Sequence, residues 1–255
     1  MNKQSDMNKK AWSYKAEEFW HKHLGQPEQV AKDMLYNPNQ HIRRHSKYFG
    51  ELDKLKVINP LGSCGKKAIP LAILGSEVTI IDISEENKNY AKEVAKYAGV
   101  DIEYIVSDLM ELEEKRLENY FDLVYMEGGI LHYFSDIEEL AKKIYSFLNK
   151  GGKLVLNDFH PFRKVLKNRD VFNDELELSG DYFESETHIG DVAYQRFYDE
   201  EEQKKFPKCK LRYWTIGEII TAFAKSGFRI EEFEEFPRYD NNKWLPGEFT
   251  LVAIK

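Results

Sequence analysis

The sequence predicts an α/β protein built on a doubly wound, mostly parallel, seven-stranded sheet with an antiparallel last strand. Three observations predict it. Residues 57–82 read as an apolar run, a turn rich in glycine, an apolar segment at helical spacing and a second β-branched run closing on Asp82. That is the layout of a βαβ unit. Apolar runs and helical patterns then keep alternating as far as Asn157. Finally, the runs at 228–236 and 248–254 are separated by a connection too short for a crossover helix, so they must pair antiparallel.

Each element has its own signal. Residues 1–9 are polar and are expected to fray. Over 10–23, Trp12, Ala16, Phe19, Trp20 and His23 share one helical face, while Tyr14 and Lys15 lie off it, turned toward a cleft. A second helix carries Val30, Ala31, Met34 and Leu35 and stops at Asn37-Pro38-Asn39. A third, over 41–49, bears Arg43, Arg44, His45 and Lys47, and reads as a solvated face, with anion binding as the alternative. After the turn 59–65, Ala68, Ile69, Leu71, Ala72 and Leu74 mark a helix stopped by Gly75. Ser84 caps the next helix and Gly99 ends it. Strands follow at 102–106 and 121–126. Ser135 and Glu138 form a capping box before the helix face Ile137, Leu140, Ala141, Ile144, and Gly151-Gly152 leads to the strand 153–157. A second capping box, Thr215 and Glu218, opens the last helix, which Gly227 stops.

Residues 162–213 break the alternation. They are charged and aromatic, without periodicity, and long excursions of this kind in a compact fold are usually binding loops or lids. The expected organisation is therefore a helical cap over 1–50 and a main domain over 51–255, with 162–213 as a substrate lid.

Composition narrows the function. The net charge of −7, without any basic block, argues against nucleic acid or an anionic membrane as partner. No run is long enough to span a bilayer, the first residues lack a signal-peptide core, and Cys64 and Cys209 have no partner motif. A soluble, cytoplasmic protein is expected. The glycine turn lets backbone approach a ligand, the helix after it offers free N–H groups, and Asp82 is placed to accept from a ribose diol. The same pattern also occurs in βαβ turns that bind nothing.

The order of blocks resembles that of the class I S-adenosylmethionine-dependent methyltransferases over 50–255. Residues 57–65 stand at the family's glycine-rich first motif, Asp82 at the acid that holds the ribose, and Asp108 at the position that reads the adenine amino group beside Leu109. FDLVYMEGGILHYF and LNKGGKLVLNDFHP resemble the fourth and fifth strand blocks, and RYWTIGEIITAFAKSGF the penultimate helix. Leu61 and Ser63 fall where the family has glycines, and Asn59 replaces its acid, leaving an amide that can accept from the turn's N–H groups.

The resemblance implies the Rossmann-like methyltransferase fold, S-adenosyl-L-methionine as cofactor, and methyl transfer to an O or N atom of a small-molecule acceptor. It implies a cofactor site made of Asn59, Leu61, Gly62, Ser63, Gly65, Asp82, Ile83, Asp108, Leu109, Met126 and Glu127, with Tyr14 added from the cap. Methyl transfer from a sulfonium needs mainly positioning and sometimes proton removal. Glu127, His132, Asp158 and His160 sit at the sheet's carboxyl edge. Glu127 is open to three roles: binding the ammonium, polarising the acceptor or capping the Gly128-Gly129 turn. His160 is the preferred general base and His132 the packed alternative. No metal is expected, because no short-range ligand pair joins these residues. Cys64 reads as a small residue fitted against the cofactor. An NAD-dependent oxidoreductase and a non-catalytic nucleoside-binding protein of the same fold remain as alternatives.

Overall fold

The structure, a computed structural model, describes residues 3–42, 44–166, 178–237 and 244–255. Five helices come first: α1 (Lys3–Ser13), α2 (Ala16–His23), α3 (Pro27–Tyr36), α4 (Pro38–Ile42) and α5 (Ser46–Phe49). Then come β1 (Lys56–Pro60), α6 (Ala68–Ile73), β2 (Glu77–Asp82), α7 (Glu85–Ala98), β3 (Glu103–Val106), β4 (Phe121–Glu127), α8 (Ile137–Phe147) and β5 (Leu148–Phe159). The insertion contributes β6 (Thr187–Gly190), α9 (Glu200–Gln203) and β7 (Cys209–Arg212). The chain finishes with α10 (Ile216–Lys225), β8 (Arg229–Phe236) and β9 (Glu248–Ile254).

The seven-stranded sheet has the order β3-β2-β1-β4-β5-β9-β8. Its first five strands are parallel, and β9 runs antiparallel to both β5 and β8. The central strands are apolar on both faces because helices cover both. One core contains Ile58, Val124, Leu156 and Leu251 with the inner faces of α8 and α10. The other contains Val57, Ile80, Leu123 and Val155 with α6, α7 and part of the N-terminal cap. The strand order reverses between β1 and β4, and at such a switch point the strand ends diverge and leave a crevice.

A third cluster lies outside the sheet. Ala11, Ala16 and Phe19 of the cap pack with Val192, Tyr194, Phe206, Cys209 and Leu211 of the insertion. The antiparallel pair β6–β7 belongs to this roof rather than to the main sheet.

Several local expectations need correction. Residues 3–9 are helical, because Gln4, Asn8 and Ala11 form a buried stripe rather than a frayed tail. The helix expected over 10–23 breaks at Lys15, whose φ is 54°. The break is held by tyrosines of the insertion: the Tyr194 hydroxyl donates to the Tyr14 carbonyl at 2.7 Å and the Tyr198 hydroxyl to the Lys15 carbonyl at 3.3 Å. The basic segment over 41–49 is solvent-exposed at Arg44 and Lys47, as expected of a solvated face, but its cations are paired and His45 is not on that face. Arg44 pairs with Glu248, Lys47 lies 2.6 Å from Glu234, and His45 is buried with Nδ1 2.7 Å from the Tyr125 hydroxyl; Arg43 lies outside the described residues. Helix α8 is capped by Asp136, which accepts from the Glu139 N–H, not by Ser135. The box at Thr215 and Glu218 forms as expected, with both reciprocal bonds present.

Candidate active site

A cavity of about 370 Å³ opens at the switch point. Its floor comes from the ends of β1, β2, β3 and β4. Leu61, Ser63, Asp82, Ile83, Asp108, Leu109 and Glu127 all line it, and α1 and α2 roof it with Gln4, Ser5, Asn8, Trp12 and Trp20.

The turn after β1 keeps a glycine-like path without glycine's freedom. Leu61 and Ser63 have φ of 54° and 49°, in the left-handed region that costs a residue with a side chain about 1–2 kcal/mol. That conformation sends the Ser63 N–H onto Asp82 Oδ2 at 3.0 Å. Gly62 is needed for space: an added Cβ would stand 2.3 Å from Asn59 Oδ1 and 2.7 Å from Ile80 Cγ2. At Gly65 an added Cβ would stand 3.0 Å from Ile69 Cδ1 and 3.2 Å from Ala91 Cβ of α7, so the turn sits close against that helix. Gly62, Gly65 and Asn59 thus shape the turn from beneath and do not line the cavity. Asn59 donates to the Tyr125 carbonyl at 2.6 Å, and its Oδ1 is buried without a partner, so it does not accept from the turn as expected.

Asp82 is 8% exposed and held at both oxygens. Oδ1 accepts from the Ser84 N–H and from Asn87 Nδ2, each at 3.0 Å, and Asn87 Oδ1 in turn accepts from Trp20 Nε1 at 2.7 Å. Burial pushes its pKa up while these donors pull it down. Oδ2, with one N–H donor, retains lone pairs for a ligand hydroxyl. Asp108 differs. Its Oδ1 accepts from the Met110 N–H at 2.9 Å, but its Oδ2 is buried with no partner. A buried carboxylate oxygen without a donor is costly, and a ligand N–H would relieve it.

At the end of β4, Glu127 lies 3.3 Å from Lys67 Nζ and lines the cavity wall. Gly128 and Gly129 follow, with φ of 99° and 79°, and a Cβ on Gly129 would strike the Phe159 ring at 2.5 Å. The loop beyond is fixed by Asp158, whose Oδ2 accepts the Ile130 and Leu131 N–H groups at 2.9 and 2.7 Å. Burial raises the pKa of Asp158 to about 6 despite these donors.

A second cavity, about 410 Å³, abuts the first across Trp12, Gly128, Gly129 and Tyr133. His132 and His160 both line it, whereas Glu127 lines only the first. The geometry removes His160 from the role of general base. Its Nδ1 accepts the Phe162 N–H at 3.0 Å, which puts the ring proton on Nε2. Nε2 stands 2.7 Å from Glu235 Oε1, at ion-pair distance although off hydrogen-bond alignment. No lone pair is left facing the cavity. Burial lowers the His160 pKa, opposed by Glu235.

Three other expected residues fall elsewhere. Tyr14 is turned away, donating to Glu202 at 3.0 Å and packing on Phe206. Met126 is fully buried in the sheet core. Cys64 is buried in the other core, its thiol pushed up to about 12, and does not line the cavity. Among the described residues no cluster of three or more His, Cys, Asp or Glu is arranged to hold a metal. None of the described helices is long and apolar enough to cross a membrane. The roof residues Gln4, Asn8 and Trp20 were not expected at the site. The stripe Gln4, Asn8, Ala11 is readable at helical spacing once amides are allowed on a buried face.

This is the fold of the class I S-adenosylmethionine-dependent methyltransferases. Among solved structures it is similar to a putative S-adenosylmethionine-dependent methyltransferase from Listeria monocytogenes, at TM-score 0.64 and 19% identity over 84% of this chain and 97% of that one. It is also similar to magnesium protoporphyrin IX methyltransferase from Synechocystis with bound SAH, at TM-score 0.62 and 15% identity over 99% of both chains. At such identities the likeness is one of fold. In sequence, residues 62–152 match the family described as "Methyltransferase domain". A ubiquinone biosynthesis O-methyltransferase from Rickettsia canadensis is 24% identical over 49% of this chain and 51% of its own length. A tRNA 5-carboxymethoxyuridine methyltransferase from Escherichia coli is 26% identical over 50% and 49%. The chain spans about half the length of these relatives, and about 71% of a putative methyltransferase, YqeM, from Bacillus subtilis, at 26% identity.

Proposed function

We propose that this protein is an S-adenosylmethionine-dependent methyltransferase acting on an O or N nucleophile of a small-molecule acceptor. The observation that carries the reading is a pair of abutting cavities divided by Gly128-Gly129, one of them floored by two buried acids suited to a nucleoside. The residues present fit that cofactor: Asp108 Oδ2 lacks the donor an adenine amino group would provide, and Asp82 Oδ2 has room for ribose hydroxyls. When bound, S-adenosylmethionine supplies a methyl on a sulfonium; the acceptor's lone pair bonds to that carbon as the S–C bond breaks, and sulfur keeps the electron pair.

The chain's own residues align the partners and take the proton. Trp20, Asn87 and Asp82 form a hydrogen-bonded series that fixes the ribose end. Glu127 offers a carboxylate to the ammonium at the methyl end. Gly128 and Gly129, without side chains, leave the passage between cavities open. His132, beside the passage on the acceptor side, takes the acceptor's proton, and His160 positions the loop. The helices over 1–50 act as the cap, and 162–213, of which 167–177 lie outside the described residues, as the lid of the acceptor cavity.

Calorimetric titration with S-adenosylmethionine, S-adenosylhomocysteine and NAD tests the reading. Both sulfur nucleosides are expected to bind and NAD is not; failure of either sulfur nucleoside to bind at millimolar concentration refutes it. Once an acceptor is in hand, His132→Asn should lower kcat about 100-fold. His160→Asn should change kcat far less.

A further inference from the structure

We infer that the acceptor is an anionic molecule, a carboxylate or phosphate joined to an aromatic ring, whose anionic group is held by Lys164. The inference rests on the methyltransferase reading and deepens it.

Lys164 lies in the 3₁₀ turn Pro161–Val165 that follows β5 directly, and it lines the second cavity. It is only 9% exposed. Its ammonium donates to one backbone oxygen, the Glu184 carbonyl, at 3.3 Å, and stands 5.9 and 5.8 Å from the centres of the Tyr182 and Tyr213 rings. No carboxylate of the described residues lies within ion-pair distance of it; Glu184, Asp181 and Glu218 act on it only from farther away, against Arg212. A buried ammonium normally has an anion beside it, because three N–H donors taken from water need charge as well as hydrogen bonds. Here the carbonyl and the two ring faces meet part of that need, and the cavity side is left for a ligand.

The rest of the wall agrees. Arg163 and Arg196 also line the cavity, and the Arg163 guanidinium is stacked on Phe159 at 4.5 Å. The cavity's two carboxylates are already engaged. Asp158 holds backbone N–H groups, and Asp191 is paired with Lys208. The lining carboxylates are thus committed away from Lys164, in a protein that as a whole carries −7. The lining also includes the apolar side chains of Leu131, Leu211 and Ile219 and the Tyr213 ring. About 410 Å³ accommodates a small aromatic acid. Its ring would lie against the apolar side chains, its anion at Lys164, and its nucleophile at the Gly128-Gly129 passage.

The test uses the full chain saturated with S-adenosylhomocysteine and three acids as probes: benzoate, 3,4-dihydroxybenzoate and phenyl phosphate. Each is compared with a neutral counterpart: benzamide, 3,4-dihydroxybenzamide and phenol. Calorimetry should show at least one acid binding about tenfold or more tightly than its neutral partner, the size expected of one charge-assisted contact. Lys164→Met should erase that preference and Lys164→Arg should retain most of it. Both variants should bind S-adenosylhomocysteine as the parent does, which shows that they are folded. No saturable binding of any of the three acids, or a preference that survives in Lys164→Met, overturns the proposal. So does binding of a tRNA transcript that depends on Lys164, because the acceptor would then be a nucleic acid. If the parent chain fails to bind S-adenosylhomocysteine at all, the methyltransferase reading itself is wrong. Normal binding of that nucleoside with no acid preference refutes only the acceptor class.

Discussion

Asp108→Asn separates what this carboxylate does for the fold from what it does for a ligand. In the folded chain Oδ1 is satisfied by the Met110 N–H, and Oδ2 is buried and has no donor. Asparagine placed with its carbonyl oxygen on Met110 keeps the first contact and turns the second position into an NH₂ group. Stability should change little or rise, because an unmatched buried charge is removed. Affinity for S-adenosylhomocysteine should fall, because the adenine amino group would now meet a donor. The lost interaction is one charge-assisted hydrogen bond, about 1.5–3 kcal/mol, or roughly 10- to 150-fold in Kd. The sharper readout is a swap of base preference. S-Inosylhomocysteine carries an acceptor oxygen where adenosine has its amino group, so the variant should bind it more tightly than the parent chain does. Isothermal titration of both ligands against both proteins forms a closed cycle. A ratio of the two affinities that does not move on substitution would refute the placement of the base against Asp108.

Three further outcomes follow from other parts of the site. The pKa of Asp158 is raised on folding to about 6 from an ordinary 3.8, so between those pH values the native state binds more protons than the unfolded one and the group's contribution to stability is lost as pH rises. Asp158→Asn abolishes that loss, and the variant's stability relative to the parent should climb by roughly 3 kcal/mol between pH 4 and pH 7 in urea unfolding; a difference that stays flat or falls contradicts the assignment. Gly62→Ala should destabilise by about 1–3 kcal/mol in the same assay, since its Cβ would land 2.3 Å from Asn59 Oδ1 in a packed turn, and a neutral result would mean the turn is looser than described. Asn8→Ala strips the acceptor from the Lys210 N–H, bonded at 2.8 Å, so exchange of that amide should accelerate and S-adenosylhomocysteine should bind several-fold more weakly, whereas unchanged exchange would show that α1 does not depend on this contact.

The sheet was legible because its signals are local and redundant. Strand runs buried on both faces, helix caps such as Ser84 and Thr215, and a final connection too short to cross over all pointed to one topology. The acids Asp82 and Asp108 could be placed for the same reason, since each follows a strand at the edge where strands end. The roof was not legible. Gln4 and Asn8 look like solvent-facing residues until Lys210 and Tyr133 supply the carbonyls they donate to, and those partners lie 125 or more positions away. His160 misled for a related reason. Its position after β5 suits a base, but its tautomer is set by a backbone N–H two residues on and its outer nitrogen by Glu235 on a different strand. Leu61 and Ser63 show the reverse. Residues that seemed to spoil the turn adopt the left-handed backbone that glycine would have taken.

The roof also bears on how the protein comes to exist. Helix α1 is tied to Lys210 through Gln4 and Asn8, and the α1–α2 break is clasped by Tyr194. Closing contacts of that sequence separation is slow, and it must wait for the later residue to be made. During synthesis, α1 is made well before β7 and stays without those partners while about two hundred residues follow it. Its buried stripe is part amide, from Gln4 and Asn8, rather than wholly aliphatic, which lets the early helix stay hydrated until β7 arrives. A nascent chain can thus build the five parallel strands β1–β5 of its sheet early. It gains a roofed cavity only when the insertion folds back onto α1 and α2.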